Sequence, residues 1–222
     1  MYEENKPQYR ILLLIALAHG LNDLIQGMIP SIYPALQAKY ALTMTQIGVI
    51  TLCYQLSASI LQPLVGNYTD KHPQPYSQVL GMAFTTLGAI FLSMASSYTT
   101  ILLSVVLIGV GSSVFHPESS RVAFLASGGK RSFAQAIFQL GGNLGTAFAP
   151  LLVILVIFSK KIIDGQLIED AHQERLIWFS SFSIFAMLIL ILVGKWRSIL
   201  LKLLKKKAKK PVIMPNLTRA QV

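Results

Sequence analysis

The sequence predicts an all-α membrane protein built from six transmembrane helices. Hydrophobic residues make up 53% of the 222 residues and charged residues 13%, whereas roughly a quarter of a soluble domain is charged. The apolar segments are near or above the ~18–20 residues that a helix needs to cross a bilayer. They also lack the alternation of strands, and a lipid-exposed sheet edge would leave backbone groups unpaired. These observations exclude an ordinary soluble domain.

Six apolar segments follow one another along the chain. They are Ile11–Tyr33, Ile47–Tyr68, Val79–Tyr98, Ile101–Phe124, Phe133–Phe158 and Leu176–Val193. Basic residues in short loops favour the cytoplasmic side. With a cytoplasmic amino terminus, the inner side receives Lys6, Arg10, Lys71, Lys130, Arg131 and the tail from Lys195, and the outer side receives only Lys39, Lys160, Lys161 and Arg175. We therefore expect a multi-pass protein with both termini inside.

The first span carries a polar stripe. At about 100° per residue, His19, Asn22, Asp23 and Gln26 fall within an arc of about 100°. An ionised carboxylate at the bilayer centre costs on the order of 2.5–3.5 kcal/mol, so Asp23 should face a wet cavity or a partner. For Asn22 and Gln26, hydrogen bonding to neighbouring helices is an equally good explanation.

The fifth and second spans carry similar stripes. The fifth-span stripe comprises Gln135, Gln139, Gly142, Asn143, Thr146 and Pro150. We expect Gln139 and Asn143 to line a cavity, although helix packing would also explain the stripe. In the second span Gln55 begins a narrower stripe of polar and small residues, for which cavity lining and close helix packing are equally supported.

The fourth span ends in GVGSSVFHPESSRV, where three ionisable residues surround a proline. His116 should lie only a turn or so below the membrane middle, where it could face the same cavity as Asp23. Glu118 and Arg121 project to another side at the three-residue spacing that lets helix side chains meet. They either neutralise each other at the helix end or contribute to a gate. Pro117 should free a carbonyl one turn earlier and favours a kink.

The formal charge of +10 is concentrated in KWRSILLKLLKKKAKK. We interpret this segment as part of a basic cytoplasmic tail, residues 196–222, following a transmembrane bundle of residues 1–195. Lysines just inside a membrane hold the topology and bind anionic lipid at about 1 kcal/mol per residue, and this explanation is favoured over nucleic-acid binding. The part around residues 199–204 fits a short amphipathic helix lying in the interface.

Catalysis is not expected from this sequence. The spans contain no nucleophile–base spacing and no metal-ligand cluster, and His116 with Glu118 is too little for a zinc site. The single Cys53 lies in an apolar span, which excludes a disulfide framework within the chain. We therefore expect no enzyme activity, cofactor or metal.

Four stretches resemble a known family: HGLNDLIQ, LQPLVGNYTDKHPQP, GSSVFHPESSRVA and ASGGKRSFAQAIFQLGGNLG. Together they are similar to the amino-terminal half of a twelve-helix major facilitator superfamily transporter, and more narrowly to its fosmidomycin-resistance branch. The likeness covers about residues 8–195, and the tail resembles the loop between the two halves. In the superfamily's loop motif Gly66 and Asp70 match, and Lys71 replaces the usual arginine.

The resemblance implies a proton-driven exporter of toxic small molecules such as fosmidomycin, an anionic phosphonate, in the bacterial inner membrane. Asp23 would exchange the proton, and His19 and His116 would relay it, since histidine titrates near neutrality. Asp70, Lys71, Glu118 and Arg121 would form a cytoplasmic gate. The expected partners are the drug, protons, the lipid bilayer and either a carboxy-terminal half or a second copy, with no nucleic acid.

Superfamily members place their site between two halves, and this sequence supplies one. A truncated product, a subunit of a split transporter and a homodimer all remain open, with truncation or splitting favoured because one wall of polar residues would otherwise face lipid. A different class of function also remains open, namely that of a membrane-embedded binding or regulatory protein that transports nothing.

Overall fold

The structure is a computed structural model that describes residues 6–163 and 166–208. Side chains are described for these residues except 160–163, 166–169, 207 and 208. Its elements are α1 (Tyr9–Ser31), α2 (Tyr33–Tyr40), α3 (Met44–Lys71), α4 (Ser77–Ser93), α5 (Tyr98–Leu125), α6 (Arg131–Ile157), β1 (Phe158–Ile163), β2 (Gln166–Ala171), a 3-10 turn (Gln173–Trp178) and α7 (Phe179–Ala208). Within the described residues, five helical segments are long and apolar enough to cross a membrane, and α4 is a shorter apolar helix of 17 residues. The predicted six-helix bundle is confirmed.

Two of the predicted spans run into the helix that follows them. Residue Tyr98, predicted to close the third span, is instead the first residue of α5. The reason is a capping box in which the Ser97 hydroxyl accepts from the Thr100 backbone and the Thr100 hydroxyl accepts from the Ser97 backbone, which fixes a helix start. Likewise Tyr33, predicted to end the first span, begins α2.

A β-hairpin joins α6 to the 3-10 turn. Strands β1 and β2 pair antiparallel, from Phe158 opposite Ala171 to Ile163 opposite Gln166. The predicted spans on either side of the hairpin are α-helical except at the ends next to it: Phe158, predicted to close the fifth span, begins β1, and Leu176, predicted to open the sixth, lies in the 3-10 turn.

The sixth helix is longer than predicted. Helix α7 runs from Phe179 to Ala208 rather than ending at Val193, so the predicted domain boundary at residue 195 lies inside a continuous helix. Val193, Arg197 and Leu200 are all buried at spacings that keep them on one helix face. The predicted interfacial helix near residues 199–204 is part of α7, and residues 209–222 of the predicted tail lie outside the described residues.

Glycines let α1 and α6 pack closely. A Cβ at Gly145 would collide with the backbone carbonyl of Gly20, and a Cβ at Gly20 would stand 2.8 Å from the Gly141 carbonyl oxygen. Such approach between helices requires small residues. Elsewhere α5 packs between α3 and α4, and α7 packs against α1 and α4.

The buried apolar residues form two clusters along the bundle. On α1 one cluster contains Ile11 to Ala18 and the other begins at Leu24. The cluster that begins at Leu24 lies toward the end of the bundle that carries the hairpin, here called the hairpin end. The cluster that contains Ile11 to Ala18 lies toward the opposite end, here called the basic end. The 71–77 and 125–131 connections and the end of α7 are found there. Residues 19–23 separate the two clusters, so α1 carries its polar side chains at the middle of the bundle.

Candidate functional site

The Asp23 carboxylate lies between two histidines in the gap between the apolar clusters. Its Oδ2 is 3.1 Å from His19 Nε2, one turn earlier on α1, and its Oδ1 is 3.6 Å from His116 Nε2 on α5. The Asn22 amide donates to the same Oδ1 at 3.1 Å. We call His19, Asp23 and His116 the carboxylate–histidine cluster. The structure thus brings together the three ionisable residues that the sequence assigned to one cavity.

The surroundings of His19 decide where its protons lie. Its Nδ1 is 2.8 Å from the Phe138 carbonyl oxygen, and a carbonyl only accepts, so Nδ1 carries a hydrogen. In the neutral ring Nε2 then presents a lone pair toward Asp23. The 3.1 Å contact is therefore a hydrogen bond only when one additional proton is shared between ring and carboxylate.

A second hydrogen-bonded chain orients His116. The Tyr54 hydroxyl on α3 donates to Gln26 Oε1 at 2.5 Å, and Gln26 Nε2 lies 3.3 Å from His116 Nε2. An amide nitrogen only donates, so this contact makes His116 Nε2 the acceptor, with the ring proton on Nδ1. Helices α1, α3 and α5 are linked through these side chains.

A cavity of about 270 Å³ opens beside Asp23. Its lining side chains come from four helices: Asp23, Gln26, Gly27, Pro30, Tyr33, Thr51, Tyr54, Gln55 and Thr146. The Asp23 side chain is 18% exposed and that of His116 25%, so water can reach both. This cavity is large enough for a few water molecules or for part of a small ligand.

The predicted cavity residues occupy different positions around this cavity. Asp23, Gln26 and Gln55 line it, while Asn22 and His19 are buried behind Asp23 and contact it from the protein side. Gln139 and Asn143 are exposed on α6. These two project from the bundle and leave a polar strip that continues from the lining residue Thr146.

Gly142 provides the space that the cluster occupies. A Cβ there would stand 2.5 Å from His19 Cε1 and 2.7 Å from Asp23 Oδ2, closer than real Cβ atoms approach other atoms. The polar stripe predicted on α6 therefore includes one residue whose lack of a side chain matters to α1.

At the basic end, four charged residues form what we call the charge network: Asp70, Glu118, Arg121 and Arg197. Glu118 Oε1 pairs with Arg121 at 2.6 Å, and Glu118 Oε2 pairs with Arg197 at 2.5 Å. Arg121 also contacts Asp70. Two carboxylates and two guanidinium groups balance in charge, which reduces the free energy needed to bury Glu118, a fully buried side chain.

The predicted Glu118–Arg121 contact is present, and it is part of this larger set of contacts. Arg121 also donates to Thr69 at 3.0 Å, and Ser77 donates to Glu118 at 2.9 Å. The network thereby joins α3, α4, α5 and α7. Lys71, the remaining predicted gate residue, is exposed at the end of α3.

Sequence reasoning missed Arg197 and Tyr54 as members of these arrangements. Arg197 was assigned to the tail because basic residues cluster after Gly194. The usable signal in the sequence is its helical spacing with the apolar residues Val193 and Leu200, which places the three on one helix face. Tyr54 precedes Gln55 on α3 by about 100° around the helix axis, so only the rotation of the helix in the bundle reveals its contact with Gln26.

Comparison with known proteins identifies the family. The model of the Major Facilitator Superfamily matches residues 15–216. The chain is 43% identical over 210 residues to the fosmidomycin resistance protein of Escherichia coli (strain K12), covering 95% of this chain and 49% of that protein, its amino-terminal half. It is also 40% identical over 202 residues to the uncharacterized MFS-type transporter YfnC of Bacillus subtilis (strain 168), covering 91% and 47% respectively. The chain thus spans about half the length of these relatives.

Solved structures show the same architecture. A bacterial homolog of the human lysosomal transporter Spinster, inward-facing and unoccupied, aligns with a TM-score of 0.65 at 17% identity, over 83% of this chain and 42% of that one. The transporter FucP in its outward conformation aligns with a TM-score of 0.56 at 19% identity, over 86% and 49%. The fold is therefore that of half a transporter bundle, spanning the membrane several times. The chain belongs to the major facilitator superfamily.

Proposed function

We propose that this chain is one half of a proton-coupled exporter, an antiporter of small toxic molecules such as fosmidomycin, in the bacterial inner membrane with both termini in the cytoplasm. Family membership and the relative named for fosmidomycin resistance support transport of this class. The observation that carries proton coupling is the placement of Asp23, a carboxylate in the middle of an apolar helix, at the edge of a water-accessible cavity.

The contacts of Asp23 support a proton-exchange role. The carboxylate and the His19 ring need one shared proton to form their 3.1 Å hydrogen bond, and His116 lies on the other carboxylate oxygen. A ligand entering the cavity beside Asp23 would change the environment of that proton. Proton binding and ligand binding would then compete, so that ligand entry releases the proton, which is the coupling that an antiporter requires.

Transport by this mechanism needs a second half. The polar side chains Gln55, Gln139 and Asn143 are exposed on α3 and α6, and exposed polar groups are unfavourable in lipid. A second six-helix bundle facing α3 and α6 would cover them and close the cavity. It could belong to the same longer chain, to a separate subunit or to a second copy.

The charge network supports a gate at the basic end. Asp70 is the most exposed member, with a side chain 67% accessible, whereas Glu118 is fully buried. A network anchored inside the bundle and open at its rim would hold the ends of α3 and α5 together in one conformation. Asp70 is then positioned to form or lose contacts with the second half as the gate opens.

The proposal is tested with Asp23→Asn in everted membrane vesicles that contain the chain together with its second half. A pH-sensitive dye follows proton movement after fosmidomycin is added. We expect Asp23→Asn to abolish drug-induced proton flux with unchanged protein in the membrane. Asp170→Asn, a matched change in the hairpin, should keep the wild-type flux.

Two outcomes contradict the proposal. Normal drug-induced flux in Asp23→Asn vesicles would exclude that carboxylate as the proton carrier. Equal drug accumulation in cells with and without the assembled protein would instead favour a non-transporting binding or regulatory protein, which would use the exposed polar faces of α3 and α6 to bind partner helices.

A further inference from the structure

We infer that His19, Asp23 and His116 form a binding site for a divalent transition cation such as Zn²⁺, with an open coordination position toward the cavity. The three side chains each present one ligand atom, and these atoms all lie within 4.8 Å of one another. Two imidazoles and one carboxylate, with a position left for water or substrate, form a recurrent zinc ligand set.

The two nitrogen–oxygen separations in the cluster are close to those around a shared cation. Zinc binds histidine nitrogen and carboxylate oxygen at about 2.0–2.2 Å, which places tetrahedral donors about 3.3–3.5 Å apart. The two observed nitrogen–oxygen distances, 3.1 Å for His19 and 3.6 Å for His116, lie on either side of that range. The two distances end on different oxygens of the Asp23 carboxylate, and all three ligand atoms lie within 4.8 Å of one another, so a bound cation would draw the two imidazoles together around one carboxylate oxygen.

Both histidines direct a lone pair toward the proposed cation. His19 Nδ1 donates to the Phe138 carbonyl, which leaves Nε2 for the metal. A hydrogen bond from the second ring nitrogen to a backbone carbonyl is the usual support of a metal-binding histidine. The ring also stacks on the Phe138 side chain, with centroids 3.9 Å apart, so His19 is held in its binding orientation before any ion arrives.

His116 can also present a free Nε2 lone pair to the cation, once one weak hydrogen bond is broken. Its Nε2 accepts from Gln26 at 3.3 Å, longer than the usual range for N–H donors. A cation at Nε2 would displace that amide. Asn22 meanwhile donates to Asp23 Oδ1, which orients the carboxylate as outer contacts do in known metal sites.

The partial exposure of the cluster to the cavity favours an ion that exchanges with the solvent. Asp23 and His116 are partly exposed and His19 is buried, so the cation would be held from the protein side and open toward the cavity that Asp23 lines. Water or an anionic oxygen of a cargo molecule would take the fourth position. Mg²⁺ and Ca²⁺ fit less well, since both prefer all-oxygen ligands.

The test is equilibrium metal binding by the full chain, purified in detergent with an affinity tag that contains no histidine. Co²⁺ is titrated by visible absorption and Zn²⁺ by calorimetry. We expect one ion per chain, and His19→Gln and His116→Gln should each weaken binding by more than the roughly 100-fold seen when an outer contact is lost. The matched control is the double variant His72→Gln/His172→Gln, which removes the two histidines outside the cluster and should bind normally.

Gln26→Ala makes the test independent of misfolding, because it should strengthen binding by removing the amide that competes for His116 Nε2. The inference is overturned if the wild-type chain binds Zn²⁺ only weakly, with a Kd above about 1 mM, if His116→Gln binds as wild type does, or if the outer double variant loses the ion. These readouts need no transport, so their failure is distinct from failure of the proposed export.

Discussion

Exchanging Glu118 and Arg121, by Glu118→Arg with Arg121→Glu, should destabilise the protein. If the two residues served only to neutralise each other, the exchange would be harmless because their mutual attraction is kept. In the structure, however, Glu118 also pairs with Arg197, and Arg121 also contacts Asp70. The exchange places two guanidinium groups together at one end of the network and two carboxylates together at the other.

The expected loss is set mainly by Arg197. The side chains of Glu118 and Arg197 are 0% and 1% exposed, and breaking a buried ion pair costs roughly 3–5 kcal/mol. The contact between Arg121 and Asp70 contributes less, because the Asp70 side chain is 67% exposed and exposed pairs are worth at most about 1 kcal/mol. We therefore expect a loss of roughly 3–5 kcal/mol, a large part of the about 5–15 kcal/mol typical of a folded domain.

The assay heats the purified chain in detergent and measures the fraction that remains monodisperse by size-exclusion chromatography. The exchange variant should lose this fraction at lower temperature. Inverting all four signs, by adding Asp70→Arg and Arg197→Glu, restores attraction at every contact and should recover part of the loss. Lys195→Ala, an exposed change on the same helix, is the control. An exchange variant as stable as wild type would refute the buried Glu118–Arg197 contact.

Two further substitutions test the packing and the hairpin end. Gly142→Ala places a Cβ 2.5 Å from His19 Cε1 and should reduce Co²⁺ binding and thermal stability. Its control is Gly48→Ala, whose Cβ meets nothing within 4 Å and whose higher helix propensity should raise the free energy of unfolding by up to about 1 kcal/mol. Equal effects of the two substitutions would contradict the geometry. Tyr40→Phe removes the hydroxyl that lies 2.5 Å from the Ala95 carbonyl oxygen and 2.8 Å from Gln173 Oε1. It should lower the free energy of unfolding by about 1 kcal/mol, measured by denaturant titration, and an unchanged midpoint would argue against hydrogen bonding by that hydroxyl.

The helices could be predicted because lipid imposes a strong constraint on sequence. Every residue facing the bilayer must be apolar and every backbone group paired within its segment, so six spans appear as six apolar runs. Helix ends follow weaker, local signals. The capping box at Ser97 and Thr100 decides where α5 begins.

The site could be predicted in part for a similar reason. His19, Asp23 and Gln26 share a face of α1 by helix geometry alone, and the depth of His116 suggested the same cavity. Contacts between helices depend on rotation and crossing, which spacing along the chain does not encode. The Phe138 carbonyl bonded to His19 and the Tyr54 hydroxyl bonded to Gln26 are of this kind, and neither could be predicted.

The continuity of α7 has a practical consequence for anyone who shortens this protein. Judged by the sequence, a chain stopped at residue 195, where the apolar run gives way to lysines, loses only a solubilising appendage. Such a cut would in fact remove Arg197, a cation from the interior, and leave Glu118 with Arg121 as its one remaining ionic partner among the described contacts. Expression boundaries for this half-bundle therefore belong beyond Ala208, the end of the described helix.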